Sequence, residues 1–432
     1  MKNRNYIFVL NSKGQPLMPC SWNRARRLIS LGKAEMVRAD IPTIRLLVPS
    51  SGYRQKCSLG VDLGARHVGI SVTTDRRELF SVEAVLLDGI KKRLTKRREQ
   101  RRGRRFRKTR YRKARFDNRV ATKKEGWLPP TQRNRVEATL SVIRRVTGIL
   151  PVSKIVCEGG RFDTQAVMNP EIEGSEYQRG PQYSFDNVKA YVRWRDGYAC
   201  TECCATGKEA RLEVHHIVQR KDGGSDRPSN LTTLCHECHR RHHEEGMPLH
   251  VKRPKDMKGM SAMNIISGYI IGRVKVEYGD VMVTWGWKTE RERRKTGLPK
   301  SHVNDAYVIA GNLRAERLTE SYVWRKIRRH DRRLHDEVPK KEGKRKSQAS
   351  PRWIGGNGVE RYQKYDRVKV NCGEGFVWGS TNGYLYVRDI NGKPTAGVRT
   401  AISPKKVRLK YRHRGGYVID KIIKNDNKSL LV

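Results

Sequence analysis

The sequence contains no apolar run approaching the roughly 20 residues that a membrane-spanning helix needs. Its first ten residues hold too short an apolar segment for a secretory signal peptide. Both absences argue against a membrane-spanning or exported protein, and we expect a cytoplasmic one. No internal repeat is found either, which argues against repeat architectures.

Acidic residues are scarce relative to basic ones. The 432 residues include 44 Asp and Glu against 92 Lys and Arg, which gives a formal net charge of +48. A surplus of this size indicates a polyanionic partner, most simply nucleic acid. A basic surface kept for solubility is disfavoured because the charge is unevenly spread, and an anionic membrane is disfavoured because no amphipathic helix is evident. The length is compatible with roughly two to four structural units.

Cysteines are concentrated in one short segment, since five of the nine lie between Cys200 and Cys238. Such clustering favours metal binding over disulfides in a reducing compartment. Two C-x2-C pairs, Cys200 with Cys203 and Cys235 with Cys238, predict a closed tetrahedral Zn²⁺ site with a structural role. Cys204 is adjacent to Cys203 and could replace it, although the spacing favours Cys203. Reduced, unbound cysteines are the alternative.

Hydrophobic periodicity predicts a mixed α/β protein. Apolar or alternating runs predict strands at 5–10, 41–48, 58–72 (a hairpin), 152–157 and 281–287. Helical spacing predicts helices at 22–31, 131–150, 260–276 and 303–313, with a further basic helix just before the cysteines. Glycines at positions 60, 64 and 69 predict close approaches of the backbone. Short strands punctuated by glycine from Asp366 to Val418 predict a small β domain.

The segment 91–115 is strongly basic, with 16 Lys or Arg among its 25 residues and Glu99 as its only acid. It contains no proline and one glycine, so an extended helix is plausible. The charges of an isolated helix would repel one another, and the helix should therefore form fully against a polyanion. A disordered basic tail is the plainer interpretation, but a tail rarely lies between two core motifs.

Three acidic residues occur in widely separated motifs. Asp62 lies at the centre of an apolar strand, Glu158 ends a second strand, and His302 and Asp305 open a helix on one face. A carboxylate in an apolar strand is costly unless it binds a cation or is hydrogen-bonded. Singly, the two strand acids could be turn residues and His302 a helix cap. Together they favour a two-Mg²⁺ phosphodiester-cleaving site.

Histidines and one asparagine lie inside the cysteine frame. His215, His216, Asn230 and His239 resemble the ββα-metal HNH nuclease pattern. The resemblance implies that His215 and His239 bind a single catalytic Mg²⁺, that His216 deprotonates the attacking water, and that Asn230 orients the His216 loop. A zinc-finger binding module is the alternative.

One departure from the pattern concerns His215, and three further histidines lie nearby. Many relatives carry Asp where this chain has His215, and imidazole is a softer ligand than carboxylate, so the preferred metal is open. His242 and His236 are expected at the surface. His243 is also expected there, although it lies one helical turn after His239 and could add a ligand.

Taken in order, these motifs resemble a RuvC-type, ribonuclease H-like nuclease split into three segments, with an Arg-rich bridge helix after the first segment and an HNH domain inserted between the second and third. With Pro16-Leu-Met-Pro19 near the N-terminus, nearly the whole chain resembles IscB, a family of transposon-encoded RNA-guided nucleases related to the type II CRISPR effectors. The match is weakest at the C-terminus. The implied fold is α/β, with a small C-terminal β domain.

The resemblance implies the domain boundaries and the remaining site residues. The implied domains are 1–52 (N-terminal), 53–89, 119–165 and 259–324 (RuvC segments), 90–118 (bridge helix), 166–258 (linkers and HNH domain, with the zinc module at 199–245), 325–360 (connector) and 361–432 (β-rich, contacting a motif beside the target). Asp62, Glu158 and Asp305 would bind two Mg²⁺ ions, and His302 would act as general base or phosphate contact. The implied nucleic-acid contacts are Arg97, Arg98, Arg101, Arg102, Arg104, Arg105, Arg107, Lys108, Arg110 and Arg112.

The implied function is RNA-guided cleavage of both strands of a DNA duplex. The partners would be a guide noncoding RNA and double-stranded target DNA, bound by one protein molecule in a ribonucleoprotein that associates with the prokaryotic nucleoid. The HNH domain would cut the guide-paired strand and the RuvC site the displaced strand. An RNA-independent HNH restriction or homing endonuclease would need its own base-reading element, and no helix-turn-helix or zinc-finger array is evident. A nuclease-dead binding protein is disfavoured because every expected catalytic position is filled.

Overall fold

The computed structural model describes residues 6–424 except positions 51, 88, 107–125, 161–184, 223, 225, 252–257, 280, 329–353, 357–358, 372, 382 and 396–399. The chain divides into two compact units, one comprising 1–161 with 262–432 and the other 162–261. In the described part of the chain, no helix has both the length and the apolar character needed to cross a membrane.

The larger unit begins with a four-stranded sheet and one helix. The strands are β1 (Tyr6–Leu10), β2 (Pro16–Ser21), β3 (Ala34–Arg38) and β4 (Thr43–Leu46), in the order β2-β1-β4-β3. Helix α1 (Trp22–Ser30) begins after Ser21, whose hydroxyl accepts a hydrogen bond from the backbone N–H of Arg24. Ala25 of this helix is buried among the apolar side chains of the sheet.

A seven-stranded mixed sheet forms the centre of the larger unit. Its members are β5 (Ser58–Leu63), β6 (His67–Thr73), β7 (Glu78–Val85), β8 (Lys154–Gly159), β11 (Val281–Trp285), β12 (Glu320–Lys326) and β19 (Tyr417–Ile423). Their order is β11-β8-β5-β6-β7-β12-β19. Strands β5, β6 and β7 form an antiparallel meander, while β8 and β11 continue the sheet parallel to β5. The acid-bearing strands β5 and β8 are therefore neighbours.

Alternation along β5 sorts its side chains between the two faces of the sheet. Leu59 and Val61 join the main hydrophobic core, together with residues of α3 (Pro130–Thr147) and α6 (Lys258–Tyr278). On the other face, Gly60 and Asp62 meet α8 (His302–Ala310), which follows α7 (Gly286–Lys295). One face of the sheet thus supplies the core, and the other carries the acid.

Two glycines allow α8 to lie directly on the sheet. A Cβ atom on Gly60 would lie 2.1 Å from the carbonyl oxygen of Ala306, and one on Gly69 would lie 1.9 Å from that of His302. No side chain fits at either position without moving the helix backbone. The close approaches expected from the sequence at these two positions bring the first turn of α8 over Asp62.

The remaining strands form a small β region. Strands β13 (Ile354–Gly356) and β14 (Val359–Tyr362) pair with each other, and β15 (Arg367–Val370), β16 (Gly373–Thr381), β17 (Tyr384–Arg388) and β18 (Arg408–Tyr411) form a sheet in the order β17-β16-β15-β18. The last strand, β19, departs from the expected β domain and pairs antiparallel with β12 of the central sheet. Its buried residues Tyr417 and Ile419 explain the departure, because they join the main hydrophobic core, while Val418 packs in a smaller cluster with Tyr365 and Phe376 of the β region.

The smaller unit contains α4 (Val188–Arg195), the antiparallel strands β9 (Glu213–His216) and β10 (Leu231–Leu234), and α5 (His236–Glu244). Its core consists of Leu234 and three buried cysteines. So small an apolar core needs a further source of stability. Strand β9 carries His215 and His216, and α5 begins after Cys235 and carries Cys238 and His239.

Candidate functional site

The three distant acids of the sequence converge at one end of the central sheet. Asp62, near the end of β5, is 8% exposed, and Glu158 lies near the end of the adjacent parallel strand β8. His302 occupies the first position of α8, and its Nδ1 lies 2.6 Å from Oδ2 of Asp62. Asp305 follows one turn later in the same helix. Parallel strand ends and a helix N-terminus together place these groups in one site.

Burial and mutual repulsion alter the ionisation of these acids. Burial, followed by the charges of Asp62 and Asp305, raises the pKa of Glu158 to about 7. Burial and the charge of Asp62 raise the pKa of Asp305 to about 6. Burial opposes protonation of His302, but its hydrogen bond to Asp62 outweighs that effect and raises the pKa of His302. The carboxylates therefore form a site that a cation would stabilise.

Helix α7 contributes two residues that the sequence did not single out. Arg293 is 8% exposed, and its Nε lies 2.8 Å from Oδ1 of Asp305, but the contact lacks hydrogen-bond geometry and leaves that buried oxygen without a hydrogen bond. Thr289 is buried, and its hydroxyl acts to lower the pKa of Glu158, although burial and the neighbouring acids outweigh that effect. An unsatisfied carboxylate oxygen beside two further acids fits a hard divalent ion such as Mg²⁺.

Four cysteines of the smaller unit meet in space. The Sγ atoms of Cys200, Cys203, Cys235 and Cys238 all lie within 4.8 Å of one another, and the Cys203 and Cys235 sulfurs are 3.6 Å apart. Tetrahedral Zn–S bonds of about 2.3 Å give similar sulfur separations. Cys204 is exposed and stands outside the group. The geometry therefore favours Cys203 over Cys204 as the second ligand.

Ionisation of the thiols also suits a metal. Burial acts against the thiolate of Cys200, but backbone N–H groups, including those of Cys203 and Cys235, lower its pKa to about 7. Cys235 caps α5 through its sulfur, which accepts from the backbone N–H of Cys238. The four-cysteine cluster therefore has the donor set and spacing of a structural Zn²⁺ site.

Three histidines form a second metal-compatible cluster. Ring nitrogens of His215, His239 and His243 lie within 4.8 Å of one another. His215 is 4% exposed, and its Nε2 is buried without a hydrogen-bond partner. Burial and the neighbouring histidines lower the pKa of His215 to about 4, which leaves a neutral imidazole. A buried, neutral imidazole with an unused lone pair fits a metal ligand.

His243 is exposed, as expected, and its position in this cluster supports the alternative that it could add a ligand. It lies one turn after His239 on α5, the spacing that places two side chains on one face. His242 instead approaches the carbonyl oxygen of Met247 at 2.6 Å, and His236 is 59% exposed. Oε2 of Glu213 lies 2.6 Å from Nδ1 of His239, which orients that ring.

His216 and Asn230 occupy different positions around the same strands. Nε2 of His216 lies 2.8 Å from Oδ1 of Asp226. Asn230 is 2% exposed and makes two hydrogen bonds to the backbone of Val218. Its Oδ1 accepts from the Val218 N–H, and its Nδ2 donates to the Val218 carbonyl oxygen, each at 2.9 Å. Asn230 thus fixes the loop that follows His216.

Helix α2 (Ile90–Phe106) includes the first part of the basic segment 91–115. The side chains of Arg97, Arg98, Arg101, Arg102 and Arg104 are exposed along it. Arg105 lies in its last turn, whereas Arg107, Lys108, Arg110 and Arg112 lie outside the described residues. The described side chains of α2 therefore present a row of cations to solvent.

Two protein-family models match the chain. The model described as RRXRR protein matches residues 7–180, and the HNH endonuclease model matches residues 200–245. The first match includes Arg101-Arg102-Gly-Arg104-Arg105 in α2, and the second includes both the four-cysteine and the three-histidine clusters. An HNH endonuclease module implies a divalent metal ion.

Three individual proteins show local similarity. Anaredoxin from Nostoc sp. (strain PCC 7120 / SAG 25.82 / UTEX 2576) is 27% identical over 71 residues, which are 16% of this chain and 91% of that protein. Streptococcus thermophilus Cas9 in complex with the AGAA PAM is 12% identical over 43% of this chain, with a TM-score of 0.28. The type II-C Cas9 from Actinomyces naeslundii is 13% identical over 60% of this chain, with a TM-score of 0.24. The chain spans 26% and 60% of these two solved structures, respectively.

Proposed function

Because this chain is an HNH endonuclease related to IscB and Cas9, we propose that it is an RNA-guided DNA endonuclease that cuts both strands of a duplex. It binds a guide noncoding RNA, pairs it with a complementary DNA strand beside a short flanking motif, and cleaves each strand at a separate centre. The observation that carries this proposal is the presence of two different metal-compatible centres, the carboxylates around Asp62 and the histidines around His215.

The carboxylate centre is assigned to the displaced DNA strand as a RuvC-type site. Support comes from the antiparallel meander extended by two parallel strands, with one acid on β5 and another on β8. Asp62, Glu158 and Asp305 would hold Mg²⁺, which when bound stabilises negative charge on the attacking and leaving oxygens. His302, held by Asp62, is oriented to take a proton from water or to contact the phosphate.

The histidine centre is assigned to the guide-paired strand. His215 and His239 are the proposed ligands, and the position of His243 supports its addition as a third. His216 is the proposed general base: its Nε2 faces Asp226, which fixes the ring and leaves Nδ1 to accept the proton. Asn230 keeps the adjoining loop in place. The four-cysteine Zn²⁺ site would stabilise this small unit.

Recognition of nucleic acid is assigned first to α2. Its exposed arginines provide a row of charge suited to a phosphate backbone, and the net charge of +48 supports binding to RNA and DNA. The proposed ribonucleoprotein contains one protein molecule. Sequence specificity would come from base pairing to the guide. The β15–β18 region is the proposed reader of the flanking motif.

The test is guide-programmed cleavage. The protein is expressed with the noncoding RNA encoded beside its gene, the guide is replaced, and a plasmid library carrying the matching target beside randomised flanks is added with Mg²⁺. Cleavage that follows the guide and selects one flank supports the proposal. Cleavage that ignores the guide supports an RNA-independent HNH endonuclease and contradicts it. A guide with a scrambled target-pairing segment is the matched control.

A further inference from the structure

A basic cleft lies on the larger unit, and none of its lining residues belongs to the carboxylate centre. Its volume is 630 Å³, and it lies between the end of β3, the last turns of α3 and the turn joining β18 to β19. Four arginines line it, namely Arg38, Arg145, Arg412 and Arg414, together with Tyr411 and the single acid Asp40. The three segments come from distant parts of the sequence, so only the folded protein forms this cleft.

Two cations share one aromatic ring beside the cleft. The guanidinium carbon of Arg145 lies 5.1 Å from the centroid of the Tyr417 ring, and Nζ of Lys326 lies 4.3 Å from it. Tyr417 is 1% exposed, and its hydroxyl donates to the carbonyl oxygen of Ala138 at 2.9 Å, so the ring is fixed. Both cations are held by cation–π contacts on a rigid platform.

The turn before Tyr417 leaves room for these side chains. A Cβ atom on Gly415 would lie 2.8 Å from Nη2 of Arg145, and one on Gly416 would lie 3.0 Å from Nζ of Lys326. Gly415 also has a φ of +101°, a backbone conformation that side-chain-bearing residues rarely adopt. The two glycines thus bring the turn close to both cations.

The positive charge of this region is not balanced within the described residues. Arg38 pairs with Asp40 through two hydrogen bonds, and Arg412 forms ion pairs with Glu360 and Asp366. No ion pair of the described part of the chain joins Arg145, Lys326 or Arg414 to a carboxylate. Burial lowers the pKa of Arg145, as does the charge of Arg38, and burial together with the charge of Arg145 lowers the pKa of Lys326. A bound anion would relieve this repulsion.

We infer that the cleft binds a backbone phosphate of nucleic acid, and specifically of the RNA that the ribonucleoprotein carries. The planar guanidinium group of arginine can donate two parallel hydrogen bonds to one phosphate, and the ammonium group of Lys326 adds a compact positive charge. A resident RNA offsets the half-buried charges throughout the life of the complex, whereas DNA would do so only while bound. Only the choice of RNA rests on the function proposed above, because the phosphate chemistry would be the same for DNA.

The test measures binding rather than cleavage. The variants are Arg145→Gln and Lys326→Gln, with Arg414→Gln as an exposed member of the same cleft that should not disturb folding. The matched control is Arg144→Gln, which removes the same charge from the next residue of α3, where the side chain pairs with Glu277 instead. The probes are a fluorescein-labelled single-stranded RNA and a labelled DNA duplex of equal length, titrated with the full-length protein over a KCl series. Thermal unfolding confirms that each variant is folded.

Each cleft variant should weaken RNA binding by about tenfold, because one phosphate contact is lost. The plot of log binding constant against log salt concentration should become less steep, by about one in the magnitude of its slope. The control should leave both quantities unchanged. The same losses for duplex DNA alone would keep the phosphate site and assign it to DNA. Unchanged affinity and slope for both probes in all three folded variants would overturn the inference. Since no guide or cleavage is involved, this outcome is independent of whether the protein proves to be RNA-guided.

Discussion

His67 and His302 stack with nearly parallel rings beside the carboxylate centre, with ring centroids 5.5 Å apart and planes inclined by 3°. Nδ1 of His67 lies 2.8 Å from the buried carboxylate of Glu83, and Nδ1 of His302 lies 2.6 Å from Asp62. Each ring is therefore anchored by its own acid. The stack fixes the plane of His302. Because Asp62 holds Nδ1 of this ring, Nε2 is the nitrogen left to serve the reaction.

The first prediction follows from this stack. We expect His67→Ala to slow cleavage at the carboxylate centre by about tenfold, because loss of an orienting neighbour typically costs about that much. His67→Phe retains the stacked ring and should restore most of the rate. Cleavage of the other strand serves as an internal control in the same reaction, read on a duplex with differently labelled strands. Equal slowing of both strands would contradict a local orienting role.

The second prediction concerns pH and Glu158. Its pKa is about 7 in the folded protein against an ordinary value of 4.5, so folding favours the protonated form. This contribution to stability is complete at pH values below 4.5 and is lost as the pH rises through 7. Without metal, Glu158→Gln should therefore raise the unfolding temperature at about pH 8 and have little effect at about pH 4.

The control for this measurement is Glu290→Gln, an exposed glutamate of α7 paired with Arg294. It should not show the same dependence on pH. Added Mg²⁺ should stabilise the unaltered protein more than Glu158→Gln at the higher pH, because the variant lacks one carboxylate ligand. A variant that is destabilised at every pH would show that Glu158 is not under electrostatic strain.

The third prediction separates two adjacent cysteines. Cys203→Ser should lower the zinc content and the thermal stability of the smaller unit, since one of four thiolates is removed. Cys204→Ser should leave both unchanged, because Cys204 lies outside the cluster. Zinc is measured by elemental analysis of the purified proteins. Zinc loss in the Cys204 variant alone would reverse the assignment of the second ligand.

The fourth prediction concerns His243. We expect His243→Ala to reduce cleavage of the guide-paired strand by about a hundredfold, because it removes a ring nitrogen from the three-histidine cluster. His236→Ala, on the same helix but 59% exposed, is the matched control and should retain activity. A rate for His243→Ala equal to that of the control would remove His243 from the site.

The residues of the candidate sites differ in how well the sequence alone predicts them. Asp62, Glu158 and Asp305 were predictable because an acid in an apolar strand, or in the first turn of a buried helix, needs a partner. His243 stayed open between a surface residue and a ligand, since its i+4 relation to His239 suits an exposed helix face as well as a metal site. Arg293 and His67 were missed because their significance depends on contacts with Asp305 and His302 that only the tertiary structure creates. The pairing of β19 with β12 was missed for the same reason.

The central claim is that two independent centres each cut one strand. The most direct test is strand-resolved cleavage of a guide-matched duplex by Asp62→Ala, His216→Ala and the unaltered protein, all with Mg²⁺. The account predicts that Asp62→Ala loses cleavage of the displaced strand only, and that His216→Ala loses cleavage of the guide-paired strand only. Loss of both cuts in either folded single variant would contradict it.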